Sequence, residues 1–510
     1  MNKKTILFCL MMVFLLFGQA FCEETFDLRA IKADVEIVGT NDSMSLGEFV
    51  AAGDINGDGI DDIVATEICF GSLYIIYGDT ALTGDIDLSI SSADVTIEGA
   101  GNYWYGNMPM ITFGDINGDG IEDLLIGSTC YEHSRVFAIL GSVSMPSVIN
   151  VDTYPDLLRV KDDLELIFSI GSGDFNGDGF DDIMISNILY YYLDVFVWFG
   201  AENLPTLFPP ANLHIVKTCN WTTGHTSSSP TDFNGDGFDD IFFSYTKYLR
   251  PGYTYYSGTV WGIYGDSILP AWINLDSTAA DIDIFQPEPY YFGMSIGAGN
   301  VNGDGFNDLI VRDHWSAAFV FYGNSLLPAV VNLADTSADV TIFDLSTSEA
   351  ALATGDFNSD GYSDMLLGTK LIFGSESLPG ELHLSSGFDG ITIIGEEEND
   401  YLGRFSVGMG DFNGDGLDDL LLGAPGKNNP PMRGKVYVIF GDSVIHHGNP
   451  NYDKVTDIGD VVYLLNYLFK AGPVPYPRLA GDATCDGIVD VGDVVLLINY
   501  LFKSGPAPSC

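Results

Sequence analysis

The chain has 510 residues, 46% of them hydrophobic, which allows two or three domains with a large buried core and excludes global disorder. Asp and Glu number 71 against 20 Lys and Arg, and the formal charge of -51 excludes nucleic acid and anionic membrane as partners. Seven cysteines, two of them within the first 22 residues, are too few for a disulfide scaffold, although Cys485 and Cys510 remain a candidate bridge.

Residues 1–22 carry the pattern of a secretory signal. Lys3 and Lys4 precede an apolar run from Ile6 to Phe17, and cleavage fits after Ala20 or after Cys22. The run is short for a membrane span, and no later stretch is long enough to cross one. The expectation is a secreted or cell-surface chain with no membrane span after cleavage.

Over residues 23–441 one unit recurs seven times, roughly every sixty residues. Its centre is a nine-residue acidic loop, clearest as Asp411-Phe-Asn413-Gly-Asp415-Gly416-Leu-Asp-Asp419. Oxygen-bearing side chains at positions 1, 3, 5 and 9 converge only if the backbone coils tightly, and the glycine at position 6 permits that coil. An all-oxygen donor set suits a hard cation, and calcium fits best.

The candidate ligands begin with Asp54, Asn56, Asp58 and Asp62, then Asp115, Asn117, Asp119 and Asp123, then Asp174, Asn176, Asp178 and Asp182. The fourth loop offers Asp232, Asn234, Asp236 and Asp240, and the fifth Asn300, Asn302, Asp304 and Asp308. The sixth offers Asp356, Asn358, Asp360 and Asp364, and the seventh Asp411, Asn413, Asp415 and Asp419. Asn300 leaves the fifth site one charge short and predicts it the weakest, while Ser359 sits at a non-ligand position. The ions are read as structural: they clamp a turn and cancel carboxylate repulsion, and they account for much of the chain's acidity.

Each loop lies between short apolar runs such as Phe49–Gly53 before and Asp419–Gly423 after, and a third run ends in an aromatic or leucine followed by glycine, as at Tyr77-Gly78 and Phe440-Gly441. These runs read as strands. A fourth run follows in most units: Asp94–Ile97, Leu157–Val160, Leu213–Val216, Asp281–Ile284, Asp339–Ile342 and Ile391–Ile394. One more, Asp34–Ile37, stands before the first loop, and none follows the seventh unit. Seven fourth strands and seven loops are therefore out of phase. A closed ring resolves this, with the N-terminal strand completing the last sheet and removing exposed edges.

The unit from Leu402-Gly-Arg-Phe-Ser406 through Asp411–Asp419 to Leu422-Gly-Ala-Pro425 resembles the FG-GAP repeat of the integrin alpha-chain propeller and its bacterial relatives. The resemblance covers roughly residues 24–441. It implies an all-β, seven-bladed β-propeller whose calcium loops join strands one and two on one face.

After a linker at 442–448, residues 449–510 hold a duplicated pattern. Asn449, Asn451, Asp453, Asp457 and Asp460 occupy positions 1, 3, 5, 9 and 12 of an EF-hand-like loop, and Asp482, Thr484, Asp486, Asp490 and Asp493 repeat the spacing. Each loop leads into a near-identical helical segment, Asp460–Lys470 and Asp493–Lys503, stopped by Gly-Pro. This pair is similar to a type I dockerin, a small α-helical module, which implies up to two more calcium sites and a cohesin-like scaffold or cell-surface partner. Asn449 and Lys454 depart from the calcium-loop pattern, and Ile458-Gly459 and Val491-Gly492 stand where many dockerins carry cohesin-contacting hydroxyls.

The connections on the face opposite the metal loops are rich in aromatics, including Tyr103, Trp104, Tyr105, Tyr131, Tyr191, Trp221, Tyr255, Tyr291 and Trp315. Such platforms suit sugar rings or protein hot spots, against the alternative of packing between blades. No zinc-binding His-Glu spacing, serine elbow or phosphate loop is present. The leading expectation is a binding protein for a glycan or extracellular protein, with no catalytic residue assigned. The alternative, by resemblance alone, is a polysaccharide lyase or glycosidase built on the propeller; a structural envelope protein is the third reading.

Overall fold

The computed structural model describes residues 23–40, 45–67, 72–100, 109–128, 134–154, 157–164, 167–189, 192–219, 228–248, 257–287, 291–314, 316–324, 328–345, 351–397, 400–426, 433–441, 456–470 and 489–503, with the single residues 450, 472, 481 and 483. Seven sheets are formed, each built around one acidic-loop unit. In blade one, Leu46–Gly53, Asp62–Glu67, Ser72–Ile76 and Val95–Glu98 pair antiparallel in that order, and the acidic loop joins the first two strands.

The strands alternate their side chains between two neighbours, as period-two geometry requires. Leu420 and Leu422 of blade seven pack toward blade six, whereas Leu421 packs toward blade one. Ile63 and Ala65 face blade seven, and Val64 faces blade two. Repetition of this alternation puts an apolar cluster at every blade junction, including the one between seven and one. The ring is closed, and the fold is a seven-bladed β-propeller.

Closure uses the N-terminal strand as the sequence predicts. β2 (Val35–Val38) pairs antiparallel with Lys435–Ile439 and becomes the fourth strand of blade seven. It brings its side-chain hydrogen bond with it: the Phe440 N–H donates to Asp34 at 3.0 Å, just as the Tyr77 N–H donates to Asp94 at 2.9 Å in blade one.

A fifth strand was not expected. Between its third and fourth strands each unit sends a short segment back to pair, parallel, with the fourth strand of the blade before it. Val148–Asn150 joins Val95–Glu98 in this way, and Trp272–Asn274 joins Leu213–Thr218. On blade two the addition shrinks to a single bridge between Arg159 and Leu207. β1 (Glu23–Asp27) is the copy that belongs to unit seven, and it pairs parallel with Gly390–Ile394 of blade six. The N-terminal segment therefore completes two blades, and Phe26 and Leu28 are buried at the junction of blades six and seven.

Beyond the propeller the described residues include two helices, α1 (Ile458–Lys470) and α2 (Val491–Lys503), which pack through Val461, Leu464, Val494 and Leu497. Each begins two residues earlier than the sequence suggests, for a local reason. Asp457 and Asp490 sit at the N-caps. The Gly459 N–H donates to Asp457 and the Gly492 N–H to Asp490. In return the Asp457 N–H donates to Asp460 and the Asp490 N–H to Asp493, both at 2.7 Å. This reciprocal arrangement is a capping box. Among the described residues no helix is long and apolar enough to cross a membrane.

Candidate functional site

The seven acidic loops lie together on one face of the ring, because all of them join first to second strands. In loop one, Asp54 Oδ1 accepts the N–H groups of Gly57 at 2.7 Å and Asp58 at 3.2 Å, and Oδ2 accepts that of Gly59 at 2.8 Å. Asp115, Asp174, Asp232 and Asp411 repeat the pattern. Asp356 keeps the bonds to Asp360 and Gly361, with Ser359 held at φ 58 in a place where glycine stands in the other loops. Asn300 departs: its Oδ1 is buried with no hydrogen-bond partner. The fifth loop is thus distinct in geometry as well as in charge.

The aspartate at position 9 is fully buried in every unit. Asp62 accepts the Ile55 N–H at 3.1 Å and the Gly78 N–H at 2.9 Å, tying the loop to the end of the third strand. The same glycine bond recurs at Gly141, Gly200, Gly265, Gly323, Gly374 and Gly441. This explains the aromatic-Gly ending. A Cβ on Gly78 would stand 2.3 Å from the Asp61 carbonyl oxygen.

Burial pushes Asp62, Asp123, Asp182, Asp364 and Asp419 up to about 8, and Asp240 and Asp308 up to about 7, with nearby loop carboxylates adding to the rise. Among the described residues no Lys, Arg or His forms an ion pair with any of these seven. Each loop concentrates negative charge with no pairing cation at its position-9 aspartate among the described residues. No group of three or more His, Cys, Asp or Glu side chains is gathered as a ready metal cluster among the described residues. A complete cage would therefore draw on the asparagines and backbone carbonyls too. Oxygen donors around a buried, uncompensated carboxylate fit a hard cation.

Sequence reading missed the acid at position 8. Glu122 accepts the Asp54 N–H at 2.9 Å, Asp181 that of Asp115 at 2.9 Å, Asp239 that of Asp174 at 3.0 Å, Asp418 that of Asp356 at 2.7 Å and Asp61 that of Asp411 at 2.9 Å. These bonds link neighbouring loops at five of the seven junctions around the ring. The signal was the acidic pair before the second strand, present in five units and replaced by Asn307 and Ser363 in the others.

Of the predicted aromatic face, Tyr103, Trp104, Tyr105, Tyr131, Tyr191, Trp221, Tyr255 and Trp315 lie outside the described residues. Tyr291 is described, at φ 48, with its ring edge-on to His314 at 5.7 Å. In the C-terminal module, Asp457, Asp460, Asp490 and Asp493 form the two capping boxes. Asn449, Asn451, Asp453, Asp482, Thr484 and Asp486 lie outside the described residues.

Comparisons with known proteins agree with this geometry. The model of the FG-GAP repeat matches residues 404–439. Integrin alpha-8 of Mus musculus is 26% identical over 258 residues, covering 44% of this chain and 23% of its own length. Integrin alpha pat-2 of Caenorhabditis briggsae is 29% identical over 174 residues, covering 29% of this chain and 14% of its own. A phosphatidylinositol-glycan-specific phospholipase D of Dictyostelium discoideum is 27% identical over 199 residues, covering 31% of this chain and 21% of its own. The chain thus spans less than a quarter of these relatives. Among solved structures, rhamnogalacturonan lyase YesW aligns with a TM-score of 0.36 and 11% identity over 84% of this chain and 76% of its own, a level that carries no functional argument. The chain is a seven-bladed β-propeller with an FG-GAP repeat in its seventh blade and integrin alpha chains among its relatives.

Proposed function

We propose that this is an exported, calcium-loaded propeller that binds a glycan or an extracellular protein on the face opposite its metal loops. The C-terminal module docks it to a cohesin-like scaffold or surface partner. The observation that carries the calcium reading is the set of seven buried position-9 aspartates, each held by backbone N–H groups and none paired with a cation among the described residues. The integrin-like relatives support a binding role, and the signal-like residues 1–22 support export. In this reading calcium cancels the loops' charge and the chain's own residues hold the loops to the third strands and to one another.

The docking reading rests on the duplicated loop–helix pattern of residues 449–510. A calcium-replete pull-down with the full chain against cohesin-bearing scaffold tests it: recovery of cohesin supports docking, and no recovery removes it. A glycan and matrix-protein array with the same protein tests the binding face. Appearance of reducing ends or unsaturated sugars during incubation with polysaccharides would replace binding by degradation.

A further inference from the structure

A cavity of about 510 Å³ opens on the face opposite the metal loops, where the strand leaving blade six turns into blade seven. Its lining includes Arg29 from the N-terminal segment, Thr369 from the blade-six hairpin, and Glu397, Asp400, Tyr401 and Arg404 from the connecting loop. The volume falls in the range of small-ligand sites.

The loop is held in shape by its own bonds. Asp400, nearly buried, accepts the Leu402 N–H at 3.1 Å and the Glu397 N–H at 3.3 Å, and its carbonyl accepts the Gly426 N–H at 2.8 Å. The Gly403 N–H donates to the Gly423 carbonyl at 2.9 Å. Within this frame Tyr401 is forced to φ 59, a region that bulky residues avoid. Strain of this kind collects where a side chain must be aimed.

What the frame aims is Arg404. Its guanidinium lies 4.6 Å from the Tyr401 ring centre and 5.1 Å from that of Phe405. Among the described residues the guanidinium makes no hydrogen bond and no ion pair, although acids outnumber bases more than threefold in this chain. Arg29, by contrast, is committed to Asp27 at 2.8 and 2.7 Å. Phe405 is 37% exposed and flanks Arg404, one of the residues that line the cavity.

We propose that this cavity binds a single carboxylate-bearing sugar, a uronic acid residue, with Arg404 as its carboxylate fork and Phe405 as the platform for the ring. A planar guanidinium matches a carboxylate with two parallel hydrogen bonds, and stacking on aromatic rings pre-orients it. An extended peptide fits less well, because the loop's N–H groups at 397, 402, 403 and 404 are already bonded internally and offer no strand edge. A long polyanion would meet the chain's own net negative charge, which favours a monosaccharide or a chain end.

This deepens the proposed binding role by naming a site and a ligand chemistry. The test is titration calorimetry of the full chain, in calcium, with D-glucuronate and D-galacturonate against D-glucose, D-galactose and acetate. One uronate should bind at least roughly tenfold more tightly than its neutral counterpart and than acetate. Arg404→Met should abolish that preference without moving the thermal midpoint, Arg404→Lys should restore part of it, and Phe405→Ala should weaken the uronate while leaving acetate unchanged. Equal affinity for neutral and acidic sugars, or a preference that survives Arg404→Met, overturns the proposal. Should Arg404→Met lower the midpoint, the Phe405→Ala comparison decides, and an unchanged uronate affinity there overturns it. Binding of neutral glycans elsewhere would leave the wider function standing while this site fell.

Discussion

Asp61, in the first loop, accepts the backbone N–H of Asp411, in the seventh, at 2.9 Å, although 350 residues of chain separate them. The Asp61 N–H donates in turn to the Asp411 carbonyl at 2.9 Å. This reciprocal pair joins the two ends of the repeat array on the face that carries the acidic loops. Asp61→Ala leaves the Asp411 N–H without its acceptor and should cost about 1–2 kcal/mol of stability. Asp61→Asn keeps an acceptor oxygen and should cost less. Equilibrium denaturation of both variants in calcium checks the order, and equal losses would contradict the role assigned to the carboxylate.

The N-terminal segment makes a second closure at the outer edge. β1 covers the edge of blade six and contributes Phe26 and Leu28 to the junction with blade seven. A chain beginning at Ala33 exposes that edge and loses two buried apolar side chains, each contributing about 1.5–3 kcal/mol. The expected outcome is a lower thermal midpoint together with self-association in size-exclusion chromatography, since an uncovered strand edge is a template for pairing. A monomer with an unchanged midpoint would show that β1 is dispensable.

Glu48 gives a pH prediction that does not involve the acidic loops. It is only 6% exposed on the first strand of blade one, and burial pushes its carboxyl up to about 7. The folded state therefore holds a proton that the unfolded chain releases near its ordinary value. Stability from this group is present at pH 4–5 and falls as pH rises toward 7. Glu48→Gln should be more stable than the parent at pH 8 by roughly 1–3 kcal/mol, and nearly equal to it at pH 5. The difference between the two proteins, measured in calcium at both pH values, cancels the contribution of the acidic loops. A difference independent of pH would refute the assignment.

The ring was legible because seven imperfect copies reinforce one another. The stranded fourth run at Asp34–Ile37 was informative for the same reason: its apolar character matched the six other runs and its aspartate matched Asp94, Asp281 and Asp339, and it takes the matching hydrogen bond from Phe440. The fifth strands escaped notice because they are only three to five residues long and sit among turn-forming residues, as Val148–Asn150 and Val330–Asn332 do. Their signal is the Asn, Asp or His followed by Leu or Val at their ends, seen at Asn150-Val151, Asn274-Leu275, Asn332-Leu333 and Asp27-Leu28. The seven acidic loops were readable from spacing alone, and each one joins the first strand of its sheet to the second. The position-8 acids were not, because their partner is a backbone N–H in a neighbouring blade. Asp460 and Asp493, which spacing marks as ligands at position 12, each also close a capping box, a role that spacing does not show.

The seventh loop offers a local test of the metal reading. Asp415→Ala removes a position-5 carboxylate without touching the buried Asp419 or the bond from Gly441. In chelator the variant should match the parent or slightly exceed it, because a repelling charge is gone. In calcium it should fall below the parent, by up to about 2.7 kcal/mol if the ion is otherwise present at a hundredfold excess over its dissociation constant. Thermal unfolding under both conditions reads the crossing, and a variant ranked the same way in both would argue against coordination by Asp415.

We propose that calcium holds the seven loops, and through them the ring. Native mass spectrometry of the full chain, paired with thermal unfolding in calcium and in excess chelator, tests it most directly. The account predicts about seven bound calcium ions from the propeller loops, up to two more from the C-terminal module, and a thermal midpoint that drops when the ions are removed. A protein that carries no calcium at saturating concentration, or that melts identically with and without chelator, would contradict it.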